Sequence, residues 1–305
     1  MRGLSTMPIG FPGLFGGLEF DPDPIAIPFG ESGVYWYAVC ITFGLFLGVY
    51  VCMKISKRYG IREDDILDGV LIVTPIALIG ARLYYILFNL SYFRKGDGTL
   101  SLSAMLNVRD GGLAIYGGAI AAFAAAYFFC RRRKLRAAAV ADLMVIGFFI
   151  GQCIGRWGNF FNREVFGRET TLPWRMRVWV TAKEYIEVHP TFLYESLWNL
   201  AGLLFVLFVI GKARKFDGEN FCFYCFWYGL GRFWIEELRI GSDALELFGW
   251  TLFGRPLYVS QALSLVLAVF GGAMLVYQLL VKKRDGRDLW VDRVQQATPE
   301  EKEET

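Results

Sequence analysis

The chain has 305 residues, of which 55% are hydrophobic, 17% aromatic and only 20% charged, with a formal net charge of +3. A soluble domain of that length carries more charge, so the composition excludes that class and identifies a polytopic membrane protein. Six cysteines, at positions 40, 52, 130, 153, 222 and 225, lie in or beside apolar runs and there is one histidine. That argues against a zinc or iron–sulfur centre despite the Cys-x-x-Cys at Cys222 and Cys225, and no metal or cofactor is expected.

Residues 1–33 are rich in Gly and Pro, and Asp21-Pro22-Asp23-Pro24 enforces extended or turn geometry. This stretch reads as an extracytoplasmic loop or surface-lying segment, without a cleavable signal peptide. Seven apolar runs follow, each near the length that crosses a bilayer: Val34 to Met53, Ile66 to Phe88, Gly111 to Cys130, Ala137 to about Trp157, Thr191 to Gly211, Phe221 to about Ile235, and Leu257 to Val281. The second contains Pro75 and Arg82, the fourth a lone carboxylate at Asp142 with no partner apparent in the sequence, and a loop with Asp243 and Glu246 follows the sixth. Asp285 to Thr305 is charged and reads as a solvated tail. The expected fold is therefore all-α, with a seven-helix transmembrane domain over residues 34–281 between an N-terminal segment, 1–33, and a cytosolic tail, 282–305.

Basic clusters close the first, third, fifth and seventh runs: Lys54, Lys57 and Arg58; Arg131 to Lys134; Lys212, Arg214 and Lys215; Lys282 to Arg284. Positive charge marks the cytosolic side, which puts the N-terminus outside and the ends of runs four and six on the outer face. Those ends carry the polar constellations. Gly155-Arg156-Trp157-Gly158-Asn159-Phe160-Phe161-Asn162-Arg163-Glu164-Val165-Phe166-Gly167 places an arginine, two amides and a carboxylate at the end of an apolar helix. The simplest reading pairs Arg156 with Glu164, because a cation at such depth needs a counter-anion or reaches the headgroups. The company of Asn159 and Asn162 exceeds what one ion pair needs.

In the sixth run, Tyr228, Arg232, Glu236 and Arg239 fall at i, i+4, i+8 and i+11, one stripe of a helix with two arginines for one carboxylate. The surplus cation, together with Arg156, suits a phosphate anion, which guanidinium grips two oxygens at a time. Tyr116 lies between glycine pairs, Gly111-Gly112 and Gly117-Gly118, where helix packing and an interfacial aromatic belt are the plain explanations. His189 precedes Pro190 in His189-Pro190-Thr191-Phe192-Leu193-Tyr194-Glu195; it can start a helix or act as a base. Tyr35-Trp36-Tyr37 opens the first run at the same outer level.

Together these blocks resemble the prolipoprotein diacylglyceryl transferases of bacterial membranes, from about Tyr35 to Val281. Gly155 to Gly167 matches the signature G-R-x-G-N-F-x-N-x-E-x-x-G at each fixed position, and the His189-to-Glu195 and Tyr228-to-Glu236 blocks follow in the family's order. The resemblance implies a seven-helix enzyme of the bacterial cytoplasmic membrane that moves the diacylglyceryl group of phosphatidylglycerol onto the lipobox cysteine thiol of a prolipoprotein signal peptide, releasing glycerol phosphate. Membrane lipids and the precursor are then the partners, not nucleic acid. By motif, Arg156 and Arg232 match the family's essential arginines, Asn159, Glu164 and Gly167 its signature positions, Glu236 its paired glutamate, and Tyr37 and Tyr228 its site tyrosines.

Arg156 and Arg232 are accordingly expected at the phosphate and headgroup, with Arg239, Asn162 and His189 also among the binding residues. The departure is Tyr116, where many members have histidine. Candidates for the group that takes the thiol proton are Tyr116, Glu236 and His189, in that order. A lipid or small-anion transporter using the same arginines, and a structural subunit in which they only pair with carboxylates, are the competing classes; no internal repeat favours the former.

Overall fold

The computed structural model describes residues 8–14, 17–29, 32–94, 98–107, 111–181, 183–239, 246–252 and 255–297, so Asp243 lies outside the described residues. The helices are α1 (Trp36–Ile55), α2 (Glu63–Phe88), α3 (Leu102–Leu106), α4 (Ile115–Arg132), α5 (Ala137–Asn162), α6 (Thr191–Phe205, continued by a π turn to Ile210), α7 (Glu219–Leu238), α8 (Val259–Val276, continued to Val281) and α9 (Trp290–Gln296). Trp36–Tyr59, Glu63–Phe88, Ala137–Asn162, Thr191–Ile210 and Val259–Val281 are long and apolar enough to cross a membrane. The other two expected runs are helical as well. α4 is diluted by alanine and glycine and closes on Arg131-Arg132, while α7 carries Glu219, Arg232, Glu236 and Glu237. Length and composition therefore identify an integral membrane protein, with five such spans among the described residues.

The chain divides into two compact units, Met1–Cys52 with Ala141–Leu289, and Met53–Val140 with Trp290–Thr305. In the first, strands correct the all-α expectation. β1 (Ile9–Phe11), β2 (Leu18–Phe20), β5 (Met176–Trp179) and β6 (Tyr185–Val188) form an antiparallel sheet in the order β2-β1-β5-β6. β3 (Ile25–Phe29) pairs with β4 (Ser32–Tyr35), and β7 (Glu246–Leu252) with β8 (Arg255–Tyr258). Side chains alternate along a strand, so β5 buries Met176 and Val178 and turns Arg177 and Trp179 outward. Ile9, Met176, Val178, Val188 and Phe192 make the core under the sheet, with Phe160 and Phe166 of the signature packed against it.

The helices of this unit meet through small residues, as close packing in a bilayer demands. Along α5, Gly147, Gly151, Gly155 and Gly158 recur at helical spacing and face α1. A Cβ on Gly48 would stand 3.2 Å from Cα of Gly147, and one on Gly44 3.2 Å from Cα of Gly151. α7 and α8 approach in the same way, since a Cβ on Gly271 would lie 2.4 Å from the Cys222 carbonyl. α6 and α7 are joined by Trp198 and Trp227, stacked at 4.4 Å, each indole donating to the other's backbone carbonyl at 2.9 Å. At the start of α7, fully buried Asp142 accepts from the amides of Gly218 (2.8 Å) and Phe221 (3.0 Å) and from Arg214 (3.2 Å). Its partner is thus 72 residues away in sequence.

In the second unit, Gly117 and Gly118 of α4 pack on Gly80, Ala81 and Tyr84 of α2, which is the packing role expected of such a pair. Arg82 donates to the carbonyls of Ala104, Met105, Asn107, Gly111 and Gly112 at 2.7–2.9 Å and so organises the segment leading into α4. Buried Asp65 pairs with Arg62 (2.9 Å) and Arg133 (3.3 Å). The charged tail is not wholly solvated, because Trp290 of α9 donates to the Gly60 carbonyl at 3.1 Å.

Candidate active site

The signature's glycines explain where its polar residues go. Gly155 and Gly158 extend the α5 seam: a Cβ on Gly155 would meet Ile41 at 3.1 Å, and one on Gly158 would meet the Tyr37 ring at 2.7 Å. Trp36 stacks on Phe161 at 5.1 Å. With that face committed to α1, Arg156 projects elsewhere, and after Asn162 the chain leaves the helix through left-handed residues at Arg163 (φ 52°) and Val165 (φ 61°). A β-branched residue at positive φ is strained and persists only where surroundings hold it. Thr191 holds it, donating to the Val165 carbonyl at 2.5 Å. Arg163, buried, donates to Asp21 and to the Pro22 carbonyl, giving the Asp-Pro repeat its place; burial lowers its pKa, against the opposing pull of Asp21 and Asp23.

The ionic partner of Arg156 is Glu195 on α6, at 2.6 Å, and not Glu164. Glu164 instead accepts from Asn159 at 2.9 Å and Asn162 at 3.2 Å, so the signature's amides and its carboxylate bind one another. The second oxygen of Glu195 meets Arg232 at 3.2 Å. Arg232 reaches on to Glu236 at 2.8 Å, and Glu236 lies 3.6 Å from Arg239 and accepts from Ser260 at 2.9 Å. The helical stripe therefore forms as spacing predicts, and a buried carboxylate on another helix extends it into a ladder, Arg156–Glu195–Arg232–Glu236–Arg239. Among the described residues, three guanidiniums face two carboxylates.

The carboxylates are nearly buried, at 4% and 10% side-chain exposure, while the arginines keep 22%, 16% and 25%. Positive charge is thus in excess where solvent or a ligand can reach it. Arg239 feels this: burial first, then Arg232 and Arg156, lower its pKa, and Glu236 and Glu195 only partly offset them. Such a ladder can bind an anion and stabilise negative charge that develops on an oxygen.

The remaining expected residues fall around this ladder or apart from it. Tyr228 stacks on Tyr224 at 5.5 Å, and Tyr37 covers Gly158. Gly167 is wedged where a Cβ would lie 2.8 Å from both His189 and the Leu238 carbonyl; its amide donates to the His189 carbonyl at 2.9 Å. With Arg168 donating to Leu238 at 2.7 Å, the signature's last turn is pinned to the end of α7 beside Arg239. The His189 ring sits 3.1 Å from the Tyr194 hydroxyl, which accepts from Trp174 at 2.8 Å, and burial lowers the imidazole's pKa. Tyr194 also lines an apolar cavity of ≈ 470 Å³ with Trp174, Leu193, Leu197, Trp234 and Leu238. Tyr116 belongs to the second unit, half-exposed on the first turn of α4.

Glu195 is the site residue that sequence reasoning missed. The signal was available: it is the one carboxylate in α6, one turn into an otherwise apolar helix, and a charge there needs a partner.

The family model for prolipoprotein diacylglyceryl transferase matches residues 24–277. The phosphatidylglycerol–prolipoprotein diacylglyceryl transferase of Streptococcus sanguinis (strain SK36) is 40% identical over 260 residues, covering 84% of this chain and 95% of that protein. The enzyme of the same name from Clostridioides difficile (strain 630) is 38% identical over 261 residues, covering 86% and 96%. That of Streptococcus suis (strain 05ZYH33) is 42% identical over 259, covering 83% and 91%.

Proposed function

The chain belongs to the prolipoprotein diacylglyceryl transferase family, and from that premise we propose that it moves the diacylglyceryl group of phosphatidylglycerol onto the lipobox cysteine thiol of a prolipoprotein. The sulfur attacks the glyceryl carbon that carries the phosphate. A thioether C–S bond forms, the C–O bond breaks, and the electron pair leaves on the phosphate oxygen of glycerol phosphate. The nucleophile belongs to the substrate, so the enzyme needs no nucleophile of its own.

One observation carries the reading: Arg156 and Arg232, from different helices, converge on the two oxygens of a single carboxylate. Guanidiniums at that separation suit the phosphate, where they stabilise the charge that grows on the leaving oxygen. Arg239 supplies the surplus charge nearby. By motif, Asn159, Asn162, Glu164, Gly167, His189, Tyr37 and Tyr228 are assigned to the same site. The thiol proton passes to Tyr116, Glu236 or His189, in that order of preference.

Seven crossings in the bacterial cytoplasmic membrane, with α4 and α7 joining the five apolar spans, put this chemistry on the outer face. In that arrangement residues 1–33 lie outside, 34–281 form the catalytic domain and 282–305 the cytosolic tail. The purified protein, given phosphatidylglycerol labelled in its acyl chains and a lipobox peptide, is expected to yield a thioether-linked lipid. Binding of the lipid without any thioether product would favour a transporter. A Tyr116→Phe enzyme with unchanged turnover would remove Tyr116 from the proton's path.

A further inference from the structure

Each guanidinium of the ladder has a carboxylate of the protein against it. Glu195 is the central case. It is 4% exposed and presents one oxygen to Arg156 at 2.6 Å and the other to Arg232 at 3.2 Å. Its height on α6 is fixed by the next residue, since Ser196 donates to the Cys153 carbonyl at 2.8 Å and accepts from Trp157 at 3.3 Å, both on the helix that carries Arg156. Glu195 thus offers the arginine pair what a phosphate offers: two oxygens on one anionic head. A phosphate that binds here must share or displace it.

On the reading of this site as a diacylglyceryl transferase, we propose that Glu195 is a positioning residue and a resident counter-anion. It holds Arg156 and Arg232 in register while the site is empty. It then competes with the phosphate, so that glycerol phosphate is released instead of being held by three arginines with Glu236 alone, among the described residues, to offset them. A carboxylate that only stabilises the fold would have a different signature: its removal would loosen the arginines and weaken anion binding. As a competitor, its removal strengthens anion binding.

The test uses the full-length protein in detergent with glycerol phosphate as the probe, read both as product inhibition and as a thermal shift, the latter needing no turnover. In Glu195→Gln, which keeps the size and removes the charge, glycerol phosphate is expected to bind tighter by at least about tenfold, the floor set by one unit charge a few ångströms away in a dielectric close to that of water. KM for phosphatidylglycerol is expected to fall with it, and kcat to fall as release slows. Glu195→Asp, which keeps the charge but retreats from both guanidiniums, is expected to lie between. Unchanged or weaker glycerol phosphate binding in Glu195→Gln overturns the inference. If that variant does not accumulate, unchanged or weaker binding in Glu195→Asp does so. A wild-type protein that binds glycerol phosphate yet forms no thioether would instead count against the transferase reading itself.

Discussion

Two charged clusters lie at opposite ends of α5 and α7. Near their starts, Asp142 is fully buried and closed: one arginine and two backbone amides at the head of α7 meet its two oxygens. Near their ends, the Arg156-to-Arg239 ladder has more cations than anions, and each cation keeps some exposure. The first cluster satisfies its charge from the protein alone, with Asp217 a second carboxylate 3.5 Å from Arg214; among the described residues the second has positive charge in surplus. A buried charge with its partners complete is architecture, whereas a surplus at an accessible edge is a binding site.

The comparison breaks most visibly at Asp142. Asp142→Ala leaves Arg214 to Asp217, at 3.5 Å, and strips the Gly218 and Phe221 amides of their acceptor; it is expected to cost about 1–3 kcal/mol for each orphaned donor, seen as a lowered unfolding temperature in detergent. The protein that does fold should turn over normally, and a specific loss of kcat would erase the distinction. Arg232→Ala is the converse. It should insert and lower kcat by about 10²- to 10³-fold, as for removal of one oxyanion donor; normal transfer would make the phosphate assignment wrong.

Gly158→Ala tests the seam between them. The added methyl meets Tyr37 at 2.7 Å, and overpacking of this kind costs about 1–3 kcal/mol, measured by the same unfolding assay. The smallest effect belongs to the sheet, where Arg177 and Arg175 hold Glu187 below its ordinary pKa of 4.5. Its folded pKa is depressed, so its contribution is present above that value and lost as pH falls through the lower, folded one. In so solvated a pair the effect should stay under about 1 kcal/mol and shrink with salt. An acid titration of stability that is flat below pH 4.5 would show that the pair contributes nothing.

What was legible in the chain was local. Apolar runs mark the helices, and the spacing of Arg232, Glu236 and Arg239 gives their ladder directly, because helical neighbours are set by periodicity. What was not legible depends on pairing across distance. β1 finds β5 by matching Ile9 to Val178, and strands of three or four residues inside a loop rich in charge and proline leave little periodic signal. The same holds for Arg156, whose nearest carboxylate in sequence, Glu164, is occupied by amides, and for Asp142, whose arginine lies beyond the next helix, between α6 and α7. Gly155 and Gly158 read as motif letters, and only the approach of α1 reveals that they clear a path for a neighbouring backbone.

Trp198 lies three residues after Glu195, and Trp227 five before Arg232. Two indoles stacked at 4.4 Å and 18° are close enough for their excited states to couple. The far-ultraviolet circular dichroism of the protein, where the strong indole transition lies, therefore contains a native gauge of the gap between α6 and α7. If a phosphate prises Arg232 from its carboxylate by parting these helices, the couplet will fade as ligand is added. If only side chains swing, it will hold steady, and no dye or engineered label is needed to tell the two apart.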